Sequence, residues 1–261
     1  VESAVPRSSV YGPVRSWRYG WSLGVDLLLE TSICSFNCIY CQLGDIEIVT
    51  REQKVYVPTE RVVEDLKQVD MDRVDIVAIS GSGEPTLALN LGEVIHHIKE
   101  TYEKPVMILT NASLLTDPAT RARVREADIV DCKLDSASDE TLEKFNRPAA
   151  GITVSKIVEG IQALRAEYPG KLHLQCMFMP MNVAEAQGLA RLIRDIRPDR
   201  VQLNTPKRPY PKQWELILRG DHERKSTLPR VSLKTISREQ AREIQQILEQ
   251  SGVPVLSVYP S

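Results

Sequence analysis

Three thiols crowd one short stretch of this chain, Cys34-Ser35-Phe36-Asn37-Cys38-Ile39-Tyr40-Cys41, spaced C-x3-C-x2-C just after an apolar run that reads as a strand. Thiolates this close hold a metal, pair as disulfides or sit idle. Three cannot all pair with one another, and inert buried cysteines have no reason to gather in one loop. Structural zinc takes four Cys or His ligands, and no fourth ligand lies nearby in the sequence. Iron–sulfur clusters are held by thiolates, normally four, so three thiolates on a four-iron cluster leave one iron open. An open coordination position is what a catalytic metal site keeps and a structural one lacks.

The elements that must position this loop repeat a strand–helix rhythm. Residues 1–22 are polar and irregular and read as an N-terminal arm. In it Arg15 and Arg18 interleave with Trp17, Tyr19 and Trp21, a set that either stacks on a substrate or covers the open side of the domain. Residues 23–29 read as the first strand, 30–44 as the cysteine loop, and 45–57 alternate as a hairpin extension. Thr59 stands as an N-cap for a helix over 59–69. Strands follow at 74–79, 106–110, 129–134, 172–179 and 200–203, with helices at 91–102, 118–127, 152–166 and 183–196. Pro209, Pro211 and Pro229 break residues 205–235 into loop; a last helix spans 237–250 and a final strand 253–259. Strand–helix repeated about six times predicts a parallel sheet with right-handed crossovers and helices on its outer face. Six units fall short of the eight of a closed barrel. The expected fold is therefore α/β, a partial (β/α)6 TIM-like barrel over 23–206, with 207–261 as a C-terminal extension closing it.

In such architectures the site sits at the carboxyl ends of the strands. Strand two ends in Gly81-Ser82-Gly83-Glu84-Pro85, where glycines admit close backbone approach and Glu84 can accept from an ammonium group. Strand three ends in Thr110-Asn111 and strand six in Gln202-Leu203-Asn204, whose amides are candidate ligand contacts. On strand four Asp131, Lys133 and Asp135 share one face by the period of two. Three charges in mid-strand cannot face the helices, so they point into the barrel, paired with each other or with a ligand. Cys132 then faces the helices as a small buried hydrophobe. On strand five, either Gln175 with His173 and Met177 or else Cys176 faces inward; the sequence leaves both open. His96 and His97, on a helix, read as surface or core residues.

With Tyr40 before its last cysteine, the C-x3-C-x2-C loop resembles the signature of the radical S-adenosylmethionine (SAM) superfamily. The resemblance implies a 4Fe–4S cluster on Cys34, Cys38 and Cys41, with SAM chelating the open iron through its amino and carboxylate groups. Reductive cleavage of SAM then yields a 5′-deoxyadenosyl radical that takes a hydrogen from the substrate, the electron coming from a donor such as flavodoxin or ferredoxin. The run from Gly81 to Pro85 resembles the family's Gly-Gly-Glu-Pro motif for the SAM amino group, with Ser82 standing where the first glycine is usual; Ser82, Gly83, Glu84 and Pro85 are thus assigned to SAM. On the same resemblance Lys133 meets the SAM carboxylate, Asp135 or Ser136 the ribose, and the Tyr40 backbone the adenine. Asn111, Gln175 and Asn204 complete the expected cofactor set. Residues 12–24 also resemble a branch grouped with wyosine-type tRNA synthases, although the second cluster of that enzyme has no cysteines to hold it here.

The totals bound the remaining choices. The 261 residues are long enough for one α/β barrel, and 42% hydrophobic with 26% charged residues is an ordinary globular composition. No apolar run approaches the roughly 20 residues of a membrane helix, and residues 1–7 carry no signal-peptide apolar region. Five cysteines, three in one loop, give no disulfide framework and suit a reducing cytoplasm. A net charge of −2 gives no overall nucleic-acid signature. Lys207, Arg208, Lys212, Arg219, Arg224, Lys225 and Arg230 make a local basic set that either meets RNA or nucleotide phosphates or is a solvated loop. The substrate stays open between a tRNA base, a small metabolite and a peptide. Two other readings compete: a glycyl-radical-enzyme activase, and a non-catalytic iron–sulfur or zinc protein that binds nucleic acid.

Overall fold

The computed structural model describes residues 7–207, 209–211 and 229–259. Among them, eight strands form the main sheet. β1 (Val10–Ser16) and β2 (Gly20–Val25) make an antiparallel hairpin. β3 (Ile76–Ile79), β4 (Val106–Thr110), β5 (Ile129–Lys133), β6 (Lys171–Met177), β7 (Arg200–Asn204) and β8 (Val255–Ser257) then follow β2 in order, each parallel to the last. The fold is α/β, a partial TIM-like barrel with its helices outside, as the strand–helix rhythm predicts.

The outer layer is carried by α1 (Thr59–Leu66), α2 (Leu91–Tyr102), α3 (Pro118–Val124), α4 (Asp139–Phe145), α5 (Val154–Glu167), α6 (Ala186–Ile196) and α7 (Arg238–Glu249). α2 shows why these segments are helices. Leu91, Val94, Ile95 and Ile98 recur at helical spacing and are all buried, each worth about 1.5–3 kcal/mol against exposure before side-chain entropy is subtracted. They pack in one core with Val77, Ile79, Ile108, Val130, Cys132, Leu174, Cys176 and Leu203, the outward residues of the strands. Cys132 and Cys176 are therefore packed core thiols against the helices, and Gln175 and His173 face the barrel interior. Inside, Asp131 lies opposite His173 and Lys133 opposite Gln175.

Several boundaries differ from the sequence reading. Of the residues read as an irregular arm, 10–16 form β1 of the main sheet and 20–22 begin β2. The expected hairpin over 45–57 does not form; Ile48–Val49 instead pairs parallel with Ile33–Cys34 as a two-residue ladder. The residue capping α1 is Pro58, and Thr59 Oγ1 donates to Glu93 Oε2 (2.9 Å) from within the helix. Residues 183–185 belong to a 3-10 turn, Pro180–Glu185, that precedes α6. The short α4 is additional. Of the basic set, Arg208, Lys212, Arg219, Arg224 and Lys225 lie outside the described residues.

The β1–β2 turn closes the amino-terminal end of the barrel. Arg18 Nη1 donates to Gln202 Oε1 (2.6 Å) and Asp131 Oδ2 (3.3 Å), and the Tyr19 hydroxyl donates to Asp131 Oδ1 (2.9 Å). Gln202 Nε2 donates to both Asp131 oxygens (3.1 Å each), and His173 Nδ1 stands 3.1 Å from Oδ1. Burial, then the Asp131 carboxylate, holds the Tyr19 phenol far above its ordinary range, so it remains a donor. Arg18 and Tyr19 are thus spent on a buried carboxylate at the far end from the cysteines, and neither clamps a ligand beside them.

Glu185 fixes the start of α4. It accepts from the Ala137 backbone N–H (2.6 Å), Ser138 Oγ (2.8 Å) and Thr141 Oγ1 (2.7 Å). Burial works against its charge, but these bonds outweigh it and hold the carboxyl below its usual range. A depressed folded pKa gives stability that is present at neutral pH and lost as pH falls through the folded value. The stability gap between wild type and Glu185→Gln should therefore narrow in acid. Urea unfolding at about pH 7 and about pH 3, either side of the carboxylate range, checks this.

Candidate active site

The cysteine loop lies at the carboxyl ends of the strands and is held from two sides. On one side Ile33 N–H donates to Ser82 O (2.8 Å) and Glu84 N–H to Ile33 O (3.0 Å), which pins the start of the loop to the end of β3. Gly83 sits between these bonds with φ +153°, and a Cβ there would stand 1.6 Å from the Ile33 carbonyl oxygen. On the other side, the turn after α4 runs along the loop. Asn37 N–H donates to Asn146 O (3.0 Å), Ile39 N–H to Phe145 O (3.0 Å) and Ala149 N–H to Ser35 O (2.8 Å). Arg147 takes φ +48° to make that turn.

Two of the thiols accept from N–H donors. Cys34 Sγ accepts from Phe36 N–H (3.4 Å) and Asn111 Nδ2 (3.5 Å), and Cys38 Sγ from Asn146 Nδ2 (3.4 Å). Burial and neighbouring negative groups nevertheless raise all three: Glu84 and Cys38 act on Cys34, Asp135 on Cys38, and Cys38 on Cys41, which is pushed up to about 12. Such thiols become thiolates only beside added positive charge, which a metal centre supplies. Iron–sulfur clusters are held by thiolates, and three thiols in one loop, two of them already accepting N–H bonds, are donors of that kind. The donor set fits the cluster.

Glu84, 2% exposed, is braced within the fold. Its Oε1 accepts from Thr86 N–H (3.1 Å), Thr86 Oγ1 (2.7 Å) and Thr110 Oγ1 (2.6 Å), while Oε2 accepts from Asn111 N–H (2.6 Å). Burial raises its pKa against these bonds. Ser82 is turned away to Asp26, donating through Oγ (2.6 Å) and its backbone N–H (3.1 Å) to Oδ2. Asp26 also accepts from Leu28 and Leu29 N–H, closing the turn after β2. Serine at position 82 therefore has a structural partner. Pro85 starts a buried 3-10 turn, Pro85–Leu87.

Lys133 Nζ pairs with Asp135 Oδ1 (3.0 Å), donates to Gln175 Oε1 (3.3 Å) and stands 5.1 Å from the centre of the Tyr40 ring. Asp135 also accepts from Met177 N–H (2.7 Å), Asn146 Nδ2 (2.8 Å) and the Tyr40 hydroxyl. The Ser136 hydroxyl is buried without a hydrogen-bond partner among the described residues. Lys133, Asp135, Gln175 and Tyr40 thus form one bonded group that Asn146 ties to Cys38, and Ser136 lines a small cavity with Lys133, Asp135 and Asn146. Asn111 turns its amide to Ser35 Oγ (2.8 Å) and Cys34, and Asn204 bonds its neighbour Thr205 N–H (2.9 Å). Asp26 and Asn146 are absent from the sequence reading. Asp26 ends β2 and the strand-end rule points to it; Asn146 follows an unforeseen short helix and carries no local signal.

The profile of the Radical SAM superfamily matches residues 30–193, from the cysteine loop to α6. The chain belongs to the radical SAM superfamily. A UPF0026 protein of Synechocystis is 45% identical over 215 residues, covering 82% of this chain and 81% of that one. A UPF0026 protein of Methanocaldococcus jannaschii is 28% identical, over 78% of this chain and 65% of its own length. Among solved structures, Streptococcus suis SuiB bound to precursor peptide SuiA superposes with a TM-score of 0.62 at 14% identity, over 89% of this chain and 48% of SuiB. The radical SAM chain thus shares the SuiB fold while spanning about half of that protein. Among the described residues no helix is long and apolar enough to cross a membrane.

Proposed function

We propose that this radical SAM chain holds a 4Fe–4S cluster on Cys34, Cys38 and Cys41 and cleaves SAM reductively to abstract a hydrogen from its substrate. The observation that carries this reading is the loop itself: three thiols, with N–H donors on Cys34 and Cys38, pinned between the end of β3 and the turn after α4. When bound, the cluster and SAM supply one electron to a sulfonium C–S bond and a 5′-deoxyadenosyl radical. The protein supplies geometry and excludes water.

Glu84 Oε2 has acceptor capacity beyond its one bond to Asn111, so it would take the SAM ammonium, with Ser82, Gly83 and Pro85 shaping the backbone around it. Lys133 would exchange Asp135 for the SAM carboxylate. Asp135 keeps Met177, Asn146 and Tyr40 as donors when it does so. The unpartnered Ser136 hydroxyl suits a ribose hydroxyl, with Gln175, Asn111 and Asn204 on the same rim, and the Tyr40 backbone suits adenine. The electron would come from a donor such as flavodoxin or ferredoxin, in the cytoplasm. The substrate is a tRNA base, a small metabolite or a peptide; residues 12–24 favour the first through their likeness to wyosine-type tRNA synthases.

The test is anaerobic reconstitution with iron and sulfide, then dithionite and SAM. Wild type should release 5′-deoxyadenosine, and Cys38→Ala should fall to background. A wild type that is fully loaded with iron yet makes none would return the protein to the non-catalytic iron–sulfur reading. Product that appears only with a glycyl-radical enzyme present would mark an activase.

A further inference from the structure

Asn146 is 1% exposed and belongs to no expected cofactor contact. Its Nδ2, with two hydrogens, one of them shared, has three acceptors within reach: Asp135 Oδ2 (2.8 Å), the Tyr40 hydroxyl (3.0 Å) and Cys38 Sγ (3.4 Å). Its Oδ1 has no partner among the described residues. That orientation is dictated by charge, because turning the amide over would set an oxygen against the Asp135 carboxylate and the Cys38 sulfur. The residue cannot swing away either. Its backbone oxygen accepts from Asn37 N–H (3.0 Å), and Phe145 and Ala149 on either side bond Ile39 and Ser35. Asn146 therefore holds a buried N–H dipole on the Cys38 sulfur from the same turn that clamps the loop.

We propose that Asn146 is a positioning residue that raises the reduction potential of the cluster through its N–H···S bond to Cys38. This inference rests on the cluster reading above. Reduction adds negative charge to the cluster and its sulfurs, and a fixed donor stabilises the reduced form more than the oxidised one. In a buried site that dipole is weakly screened. Asn146 also donates to Asp135, the partner of Lys133, so one amide joins the electron-accepting centre to the group expected to release Lys133 for a ligand.

The test is an EPR-monitored redox titration of the reconstituted full chain, with iron content and melting temperature measured in parallel. Asn146→Leu, similar in size but without the donor, should lower the reduced-to-oxidised ratio at fixed poise roughly tenfold, a fall of about 59 mV for a one-electron couple. Asn146→Asp, which sets a carboxylate against the sulfur, should lower it further. Equal iron content with an unchanged potential overturns the proposal, even if the melting temperature drops, because a purely structural clamp predicts that result. Should neither variant retain iron, electron–nuclear double resonance on [15N]asparagine-labelled Asn111→Ser protein decides. A coupled amide nitrogen with an exchangeable proton supports the proposal and its absence overturns it. A wild type that takes up no cluster fails the earlier reading instead.

Discussion

Gly83→Ala should abolish cluster assembly and destabilise the fold by about 3 kcal/mol or more. Two effects combine. Residue 83 sits at φ +153°, a backbone region open essentially to glycine alone, which costs another residue about 1–3 kcal/mol. The new methyl group would also stand 1.6 Å from the Ile33 carbonyl oxygen and 3.0 Å from Leu28 Cδ1. The nearest obstacle is backbone, which cannot rotate aside, so the strand pairing between 33 and 83 must open. The Ile33–Ser82 and Glu84–Ile33 bonds then go, and Cys34 moves with them. Gly252→Ala is the control: φ is +82°, nothing lies within 4 Å of its Cβ position, and only a left-handed cost of about 1–2 kcal/mol is expected. Melting temperature and iron per chain after reconstitution check both. Full iron loading of Gly83→Ala would show that the end of β3 does not hold the loop.

Arg18→Ala should cost about 3–5 kcal/mol, the usual result of stripping a buried carboxylate of its cation. Asp131 is fully buried, and Arg18 is the guanidinium that reaches it. Tyr19 and Gln202 remain as donors after the change, but they carry no charge. Arg18→Ala with Asp131→Asn should recover part of the loss, since no buried charge is left unpaired. Urea unfolding of the two single variants and the double variant measures this. A loss under about 1 kcal/mol for Arg18→Ala, the value of a surface ion pair, would mean that the β1–β2 turn does not stabilise the barrel. Because this network lies at the end of the barrel away from the cysteines, iron binding by the surviving folded protein should be unchanged.

The two predictions fall on either side of what the sequence discloses. Gly83 belongs to a motif read directly from the chain, and its neighbours Glu84 and Pro85 follow a strand whose end is visible in the run 76–79. Arg18 reads as arm or clamp, because residues 10–21 show no clean alternation and antiparallel pairing through a bulge at 11–14 is not written locally. Alternation on β5 places its partner Asp131 inside the barrel, yet which charge meets it depends on the fold bringing residue 18 to residue 131. α4 leaves no mark for a related reason: seven residues carry too few turns for periodicity, although Ser138 caps it and Lys144 pairs with Glu140.

The sequence by itself determined the gathering of three thiols in one loop, the strand–helix order and the inward face of β5, since each depends on spacing within one short segment. Only the tertiary structure decided how the thiols are held: Gly83 against Ile33, Asn111 on Cys34 and Asn146 on Cys38 across 108 residues. Those contacts form between segments that know nothing of each other along the chain, and they exist because parallel strands bring every carboxyl end to the same rim of the barrel.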